Sequence, residues 1–478
     1  MSFPQAEQLE TSPQVELQPE LQKQLSTNQA VDEKDTLQLK QLTVKNNNSQ
    51  HQEGRGTILS STANILKSGI GTGILFMPST FQACGIGLSI IFMVVCAMVC
   101  YFCWSLISRI IRFQESLDTK DPTNRNLTLE DTAGKLYGNG FKVFLQVCTY
   151  LYAYSTCFGY CIFIYQTLEP FIPNYKVTMA IMLAFYLPLS MYKNIDKLSL
   201  FTYICLSTTI ITLLIIIGKS CDVIHSTNVN FPSLTQFNFS QLPLQFGVFS
   251  FAYDVNGVYT EVHAQMKDKN QFKYVLRYYL SLFTLLGIFI GTIGYVAFGE
   301  NTQAIIFQNI GTMSGVGTAL DFLYSLSILG SILLYNFTIL KFFDKVFRKY
   351  IIKNSPQSLI TLQQIALRAI LFFSFSFLAQ YVNQISNVFN ILGSIFCTIL
   401  TYVCPLLLYI KAVKKQNNIM NKVQCEDVEN SQKETKPCIA LLNTHYINYI
   451  ISGLCFIFGI LGGISGLVST IISIQQGS

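Results

Sequence analysis

The 478-residue chain is 50% hydrophobic and 12% charged, with 37 Phe and 25 Tyr. Ordinary soluble proteins are about 25% charged, so this balance excludes a water-soluble globular domain and indicates a polytopic membrane protein. The formal net charge of +6 is grouped at helix ends, a pattern that implies no nucleic-acid partner.

Residues 1–56 lack apolar periodicity and are rich in Gln, Glu, Ser, Asn and Lys. They read as a disordered cytoplasmic tail, with residues 57–478 as the transmembrane domain. No N-terminal signal peptide is visible, so the first apolar segment is expected to insert as an internal signal. A spanning helix needs about 20 apolar residues. Eleven candidates follow, at 58–78, 85–110, 141–168, 176–192, 198–218, 243–264, 273–298, 314–340, 361–382, 385–410 and 446–473. The fourth is short, and Pro188 leaves its end open. The ninth and tenth are split only by a polar stretch around Asn383, Gln384 and Asn387, and so form a tight hairpin.

Lys and Arg set the expected orientation. With the N-terminus cytoplasmic, Arg109, Arg112, Lys142, Lys193, Lys267, Lys341 and Lys411 fall in inside loops, while the opposite side holds only Lys176 and Lys219. That asymmetry supports an odd number of spans. It also places the sequon Asn238-Phe-Ser240 outside, between spans five and six, with Asn238 as a glycosylation site. The 14 cysteines mostly sit inside apolar runs. No CxxC or paired Cys/His spacing is visible, so neither metal nor cofactor is expected.

The first span carries Asn64-Ile-Leu-Lys67-Ser-Gly69-Ile-Gly71-Thr-Gly73-Ile-Leu-Phe-Met-Pro78. Three glycines and a proline make an unbroken helix unlikely there. Broken backbone at membrane depth survives only where it is buried in protein or lines a polar cavity. A charge such as Lys67 in a spanning segment is a functional hypothesis by default. Span six is interrupted at the same relative place by Phe251-Ala-Tyr-Asp254-Val-Asn256-Gly257. Two interrupted segments five spans apart indicate a transporter site at the midplane. The expected fold is therefore all-α, with eleven transmembrane helices. Ten form a five-plus-five inverted repeat of LeuT type, with helices 1 and 6 broken.

An amino-acid zwitterion suits this geometry. Unwinding at Gly69, Ile70, Gly71, Thr72 and Gly73 frees backbone N–H groups for a carboxylate, next to the positive end of a half-helix. Glycine lets the backbone approach a ligand without a Cβ in the way. Carbonyls of Phe251, Ala252 and Tyr253 can accept from the substrate ammonium, and Tyr160 can wall the pocket. Asp254, shielded from water, can carry a proton, bind a cationic substrate or pair with Lys67. Asp321 opens span eight, and Glu261 and His263 lie near the cytoplasmic end of span six.

Asn64-x-x-Lys67-x-x-x-Gly71-Thr-Gly73-Ile-Leu-x-x-Pro78 resembles the first-helix signature of the amino acid/auxin permease family, and most of all its proton-coupled amino acid transporters. Phe251-Ala-Tyr-Asp254-x-x-Gly257 with Gln265-Met-Lys-Asp268 and Phe272 is similar to that subfamily's sixth-helix motif. Gly294-Tyr-Val-Ala-Phe298-Gly299 with Asn309 looks like its end of helix seven, and Thr156-x-x-Gly159-x-Cys161 adds a match in span three. The resemblance covers roughly residues 58–473. The chain departs from it at Asn64, where many members have His, at His263, where they have an acid, and around Asn336, where a proline is usual.

The resemblance implies a role for Lys67. In sodium-coupled relatives of the fold a cation sits between helices 1 and 8. A lysine ammonium can replace it, held by Ser325, Ser327 or Ser331. The expected activity is then proton-coupled, sodium-independent transport of small neutral amino acids, with Lys67, Asp254, Asn64, Ser327 and Ser331 as coupling residues. Protons and the lipid bilayer are the implied partners, at a plasma or a vacuolar or lysosomal membrane. The rivals are an amino-acid sensor on the same fold and a sodium-coupled or auxin-like carrier. No nucleophile–base pair marks an enzyme.

Overall fold

The structure, a computed structural model, describes residues 56–117, 127–191, 195–226, 234–310, 315–350, 357–382, 384–429 and 446–476. The expected tail, and loop cations such as Lys193, lie outside the described residues. The described chain is helical apart from short turns and one isolated backbone bridge.

The first span is broken as expected. Helix α1, Ile58–Gly69, opens on a capping box in which Thr57 and Ser60 satisfy each other's backbone N–H. The chain unwinds at Ile70 and Gly71, tightens into a 3-10 turn over Thr72–Phe76, and continues as α2, Met77–Cys84. It runs a turn and a half beyond the expected end because Pro78 sits in the first turn of α2, where its missing N–H costs nothing. Span six is broken in the same way, into α8, Leu242–Tyr253, and α9, Asn256–Gln265.

The continuous helices are α3 (Ile86–Leu117), α5 (Asn139–Leu168), α7 (Ile195–Ser226), α10 (Phe272–Phe298), α12 (Gly315–Tyr350), α13 (Gln357–Ala379) and α16 (Tyr446–Gln475). The tenth span is an unbroken rod: α14 (Ile385–Leu392), a π-helical stretch over Gly393–Val403, then α15 (Cys404–Glu429). These eight are long and apolar enough to cross a membrane, while α6 (Tyr175–Ser190) is apolar but short, with Pro188 inside its last turn. Apolar composition located the spans but not their ends: α7, α12 and α15 all extend past their expected limits. A short amphipathic helix, α4 (Leu129–Tyr137), and the five-residue α11 (Ile306–Ile310) were not anticipated. Neither has the length that a hydropathy reading detects.

Packing rests on close backbone approaches. A Cβ on Gly247 would meet the Asn390 carbonyl oxygen at 2.1 Å, and one on Gly393 would meet the Gly247 oxygen at 1.9 Å. Glycine is required at this α8 crossing. Asn390 Oδ1 accepts from the Val248 N–H at 3.0 Å, sealing the same contact. The outward faces of α10, α13 and α16 carry exposed Leu285, Ile370 and Leu461, as lipid-facing surfaces should.

Candidate functional site

Both breaks lie side by side in the protein interior. Lys67 is fully buried, and its ammonium donates to Ser327 Oγ on α12 at 2.8 Å and to Thr209 Oγ1 on α7 at 3.4 Å. Ser327 and Thr209 are 2.5 Å apart and both reach the Cys205 carbonyl, so one hydroxyl donates to that carbonyl and the other to its neighbour. One cation thus ties α1 to two other helices through hydroxyls and no carboxylate. Of the three serines expected near Lys67, only Ser327 reaches it; Ser325 and Ser331 are buried with no hydrogen-bond partner. Thr209 was missed because a single threonine in an apolar span has no sequence signature. Asn64 lies one turn before Lys67 on α1, half-buried.

Asp254 does not pair with Lys67: among the described residues no ion pair joins them. Its Oδ1 instead accepts from the backbone and side chain of Asn256 and from Thr401 Oγ1 at 3.1 Å. Thr401 belongs to the π-helical stretch of the tenth span. Such turns are often found at functional sites. Asp254 Oδ2 faces the Tyr152 hydroxyl and the Cys397 thiol without ordinary hydrogen-bond geometry to either. Ser68 and Thr72 add two more unpartnered hydroxyls beside the first break. Buried polar groups are nearly always satisfied, so this concentration marks a place built for water or a polar ligand.

Tyrosines occupy much of the freed backbone. Tyr324 donates to the Gly71 carbonyl at 2.8 Å, Tyr279 to the Tyr253 carbonyl at 2.9 Å and Tyr335 to the Asp254 carbonyl at 3.3 Å. Phe251 O accepts the Asp254 N–H. The glycines have protein neighbours: a Cβ on Gly69 would lie 2.2 Å from Tyr279 Oη, one on Gly71 2.5 Å from Tyr160 Oη, and one on Gly73 2.9 Å from Ala252 Cα. Gly73 and Ala252 therefore bring the two broken spans together. Ile70, Thr72 and Phe251 are buried at the breaks, and Tyr160 stands against Tyr335 with centroids 5.9 Å apart.

Both ends of the site are packed shut. At one end Phe389 stacks on Phe251 at 4.4 Å between centroids and meets Phe76 edge-on at 5.3 Å. At the other, Gly56 N–H donates to the Gln265 carbonyl and Lys267 N–H to the Gly56 carbonyl, so the segment entering α1 is strapped to the segment leaving α9. Asp268 accepts from Asn270 N–H to hold that loop, and Lys269 pairs with Glu115 of α3 at 2.7 Å. His263 is buried, 3.1 Å from Ser108. Asn238 donates its side-chain N–H to the Ala83 carbonyl at the end of α2. That is the nitrogen a glycan would need.

Comparison with known proteins fits this geometry. A model of the family described as "Transmembrane amino acid transporter protein" matches residues 54–431. The chain belongs to this family of amino acid transporters. Amino acid transporter ANT1 of Arabidopsis thaliana is 20% identical over 77% of this chain and 88% of its own length. Vacuolar amino acid transporter 4 of Saccharomyces cerevisiae is 23% identical over 73% of this chain and 52% of its own, so the chain spans about half of that relative. Among solved structures, MhsT in complex with L-phenylalanine superposes with a TM-score of 0.51 at 9% identity, over 87% of this chain and 99% of that one. At that identity the likeness concerns the fold alone, which is of LeuT type. This transporter is a multi-pass membrane protein and not an enzyme.

Proposed function

We propose that this transporter moves small neutral amino acids across the membrane by alternating access, driven by protons and independent of sodium. The observation that carries the reading is Lys67: a buried ammonium bonded to Ser327 and Thr209, bridging helix 1 to spans five and eight where sodium-coupled relatives hold a cation. A covalently held charge there replaces a dissociable one. The burial of Asp254 among neutral partners supports it as proton carrier, because a carboxyl with no cation beside it crosses the membrane core at least cost when it carries a proton. The aromatic walls Phe251, Phe389 and Tyr160 and the tight glycines favour a small substrate without a charged side chain. Gly69 to Gly73 and the carbonyls near Ala252 hold its backbone groups when Tyr279 and Tyr324 release the Tyr253 and Gly71 carbonyls.

In this reading the eleven apolar segments all span, with the Lys- and Arg-rich ends cytoplasmic, in a plasma or vacuolar membrane. Asn238 serves as a glycan acceptor only when it releases Ala83. The test is uptake of a panel of labelled amino acids into proteoliposomes under an imposed pH gradient without sodium. Accumulation of small neutral amino acids is expected; uptake only on adding sodium would overturn the coupling.

A further inference from the structure

A second pocket lies among α5, α6 and α12. Its volume is about 300 Å³ and its lining is almost wholly apolar. Two polar groups interrupt that lining, Thr178 on α6 and Ser325 on α12. Both residues are more than nine-tenths buried, and neither hydroxyl has a hydrogen-bond partner. Elsewhere in the spans hydroxyls turn back onto their own helix: Thr156, Thr208, Thr212 and Thr284 each donate to the carbonyl four residues earlier. Thr178 and Ser325 do not. They line an apolar pocket as two unmet neutral polar groups.

The rim faces lipid. Ile181, Phe185 and Phe322 are 43%, 54% and 45% exposed, on the outward side of the bundle. Thr178 is the fourth residue of α6, about 5 Å below its start; Lys176 in the first turn of α6 and Glu169 in the turn before it are exposed. Phe322 packs against Phe171 of that turn at 5.6 Å, and Ser325 follows one turn deeper. Phe185 lies about 10 Å below Thr178 on α6, and Leu329 lies one turn below Ser325 on α12. The pocket therefore carries its two hydroxyls toward its outer half, with apolar walls beneath them.

We propose that this pocket binds a sterol from the bilayer, its hydroxyl meeting Thr178 and Ser325 and its rings lying against Ile181, Phe185 and Leu329. A phospholipid fits worse, since its charged headgroup would find only neutral hydroxyls and its two chains exceed the space. Because Ser325 is two residues from Ser327, an occupant presses on the helix that holds Lys67.

The test uses the full-length chain in phosphatidylcholine nanodiscs with a diazirine-bearing cholesterol. Photoadducts are expected on the segments holding Ile181–Phe185 and Phe322–Leu329. Cholesterol should compete, whereas cholestane, which lacks the hydroxyl, should not. Combining Thr178→Val with Ser325→Ala should weaken competition by about tenfold, the worth of about one net hydrogen bond. Ile181→Trp, which fills the pocket from its exposed side, should abolish labelling there and gives a second readout should the double variant not fold. Adducts spread evenly over all lipid-facing helices, or equal competition by cholestane, would overturn the proposal.

Discussion

Replacing Lys67 with methionine keeps most of the side-chain volume and removes the charge. The bond to Ser327 is short and charge-assisted, of a kind worth about 1.5–3 kcal/mol; the 3.4 Å contact to Thr209 is long and adds little. Against this, burying an ammonium costs several kcal/mol, and the substitution removes that cost too. Ser327 and Thr209 stay bonded to each other and to the Cys205 carbonyl, so no new orphan appears. Overall stability should therefore change by no more than about 2 kcal/mol. The tether itself exists only while α1 lies against α7 and α12. Where release leaves the ammonium out of water, the burial cost is common to both arrangements, and losing about 2 kcal/mol of tether shifts the equilibrium with a released α1 by about 30-fold. Hydrogen exchange of the 58–69 peptides should accelerate by a similar factor, and uptake should collapse while the protein still folds. Wild-type exchange and wild-type uptake in Lys67→Met would refute the reasoning.

Three further outcomes follow from named contacts. Asp254→Asn should leave a folded protein whose uptake is lost or no longer responds to pH; an unchanged pH profile of uptake excludes Asp254 as the proton carrier. Gly73→Ala should lower the melting temperature more than Gly71→Ala, because its new Cβ meets the Ala252 backbone while that of Gly71 meets the end of Tyr160; overpacking of this kind costs about 1–3 kcal/mol, and equal losses would count against the packing account. Outside the spans, burial raises the Asp131 carboxyl pKa, but the hydrogen bond and charge of Lys142, with help from Thr128, leave it below its ordinary value. A depressed carboxylate stabilises the fold above its unfolded pKa of about 3.9, and that contribution fades as pH falls through the lower folded value. Lys142→Ala should cost at most about 1 kcal/mol at pH 7, given how exposed the pair is, and progressively less as pH falls below about 3.9 in a denaturant titration.

The breaks were legible because they violate a local rule. Gly69, Gly71, Gly73 and Pro78 contradict an apolar helix, as Asp254 and Asn256 do in span six, and each such conflict has to be met by tertiary contacts. The motifs quoted from the resemblance acquire mechanical meanings here. Gly299 ends α10 with φ of 53°, and Asn309 braces the loop by accepting from Gln303 N–H and donating to the Asn301 carbonyl. Gln265 and Lys267 strap the segment entering α1.

The partners were not legible. Tyr279, Tyr324 and Tyr335 are three of 25 tyrosines in apolar runs, and nothing in their spacing says that their hydroxyls end on carbonyls at the breaks. Phe389 likewise looks like any core aromatic, and the π-helical stretch that brings Thr401 to Asp254 follows from packing against α16. There Gly459 and Gly463 sit directly on Tyr402 and Thr398. Ser325 was placed with Lys67 by proximity in sequence, yet two residues along a helix is a rotation of about 200°, which turns it toward the lipid-facing pocket.

Proton flux accompanying the substrate tests the central claim most directly. Sodium-free proteoliposomes loaded with a pH dye receive a neutral amino acid with no gradient imposed beforehand. The account predicts acidification of the lumen on adding substrate, absent in Asp254→Asn and unaltered by external sodium. Amino acid entry with no change in lumenal pH, or entry that requires sodium, would contradict it.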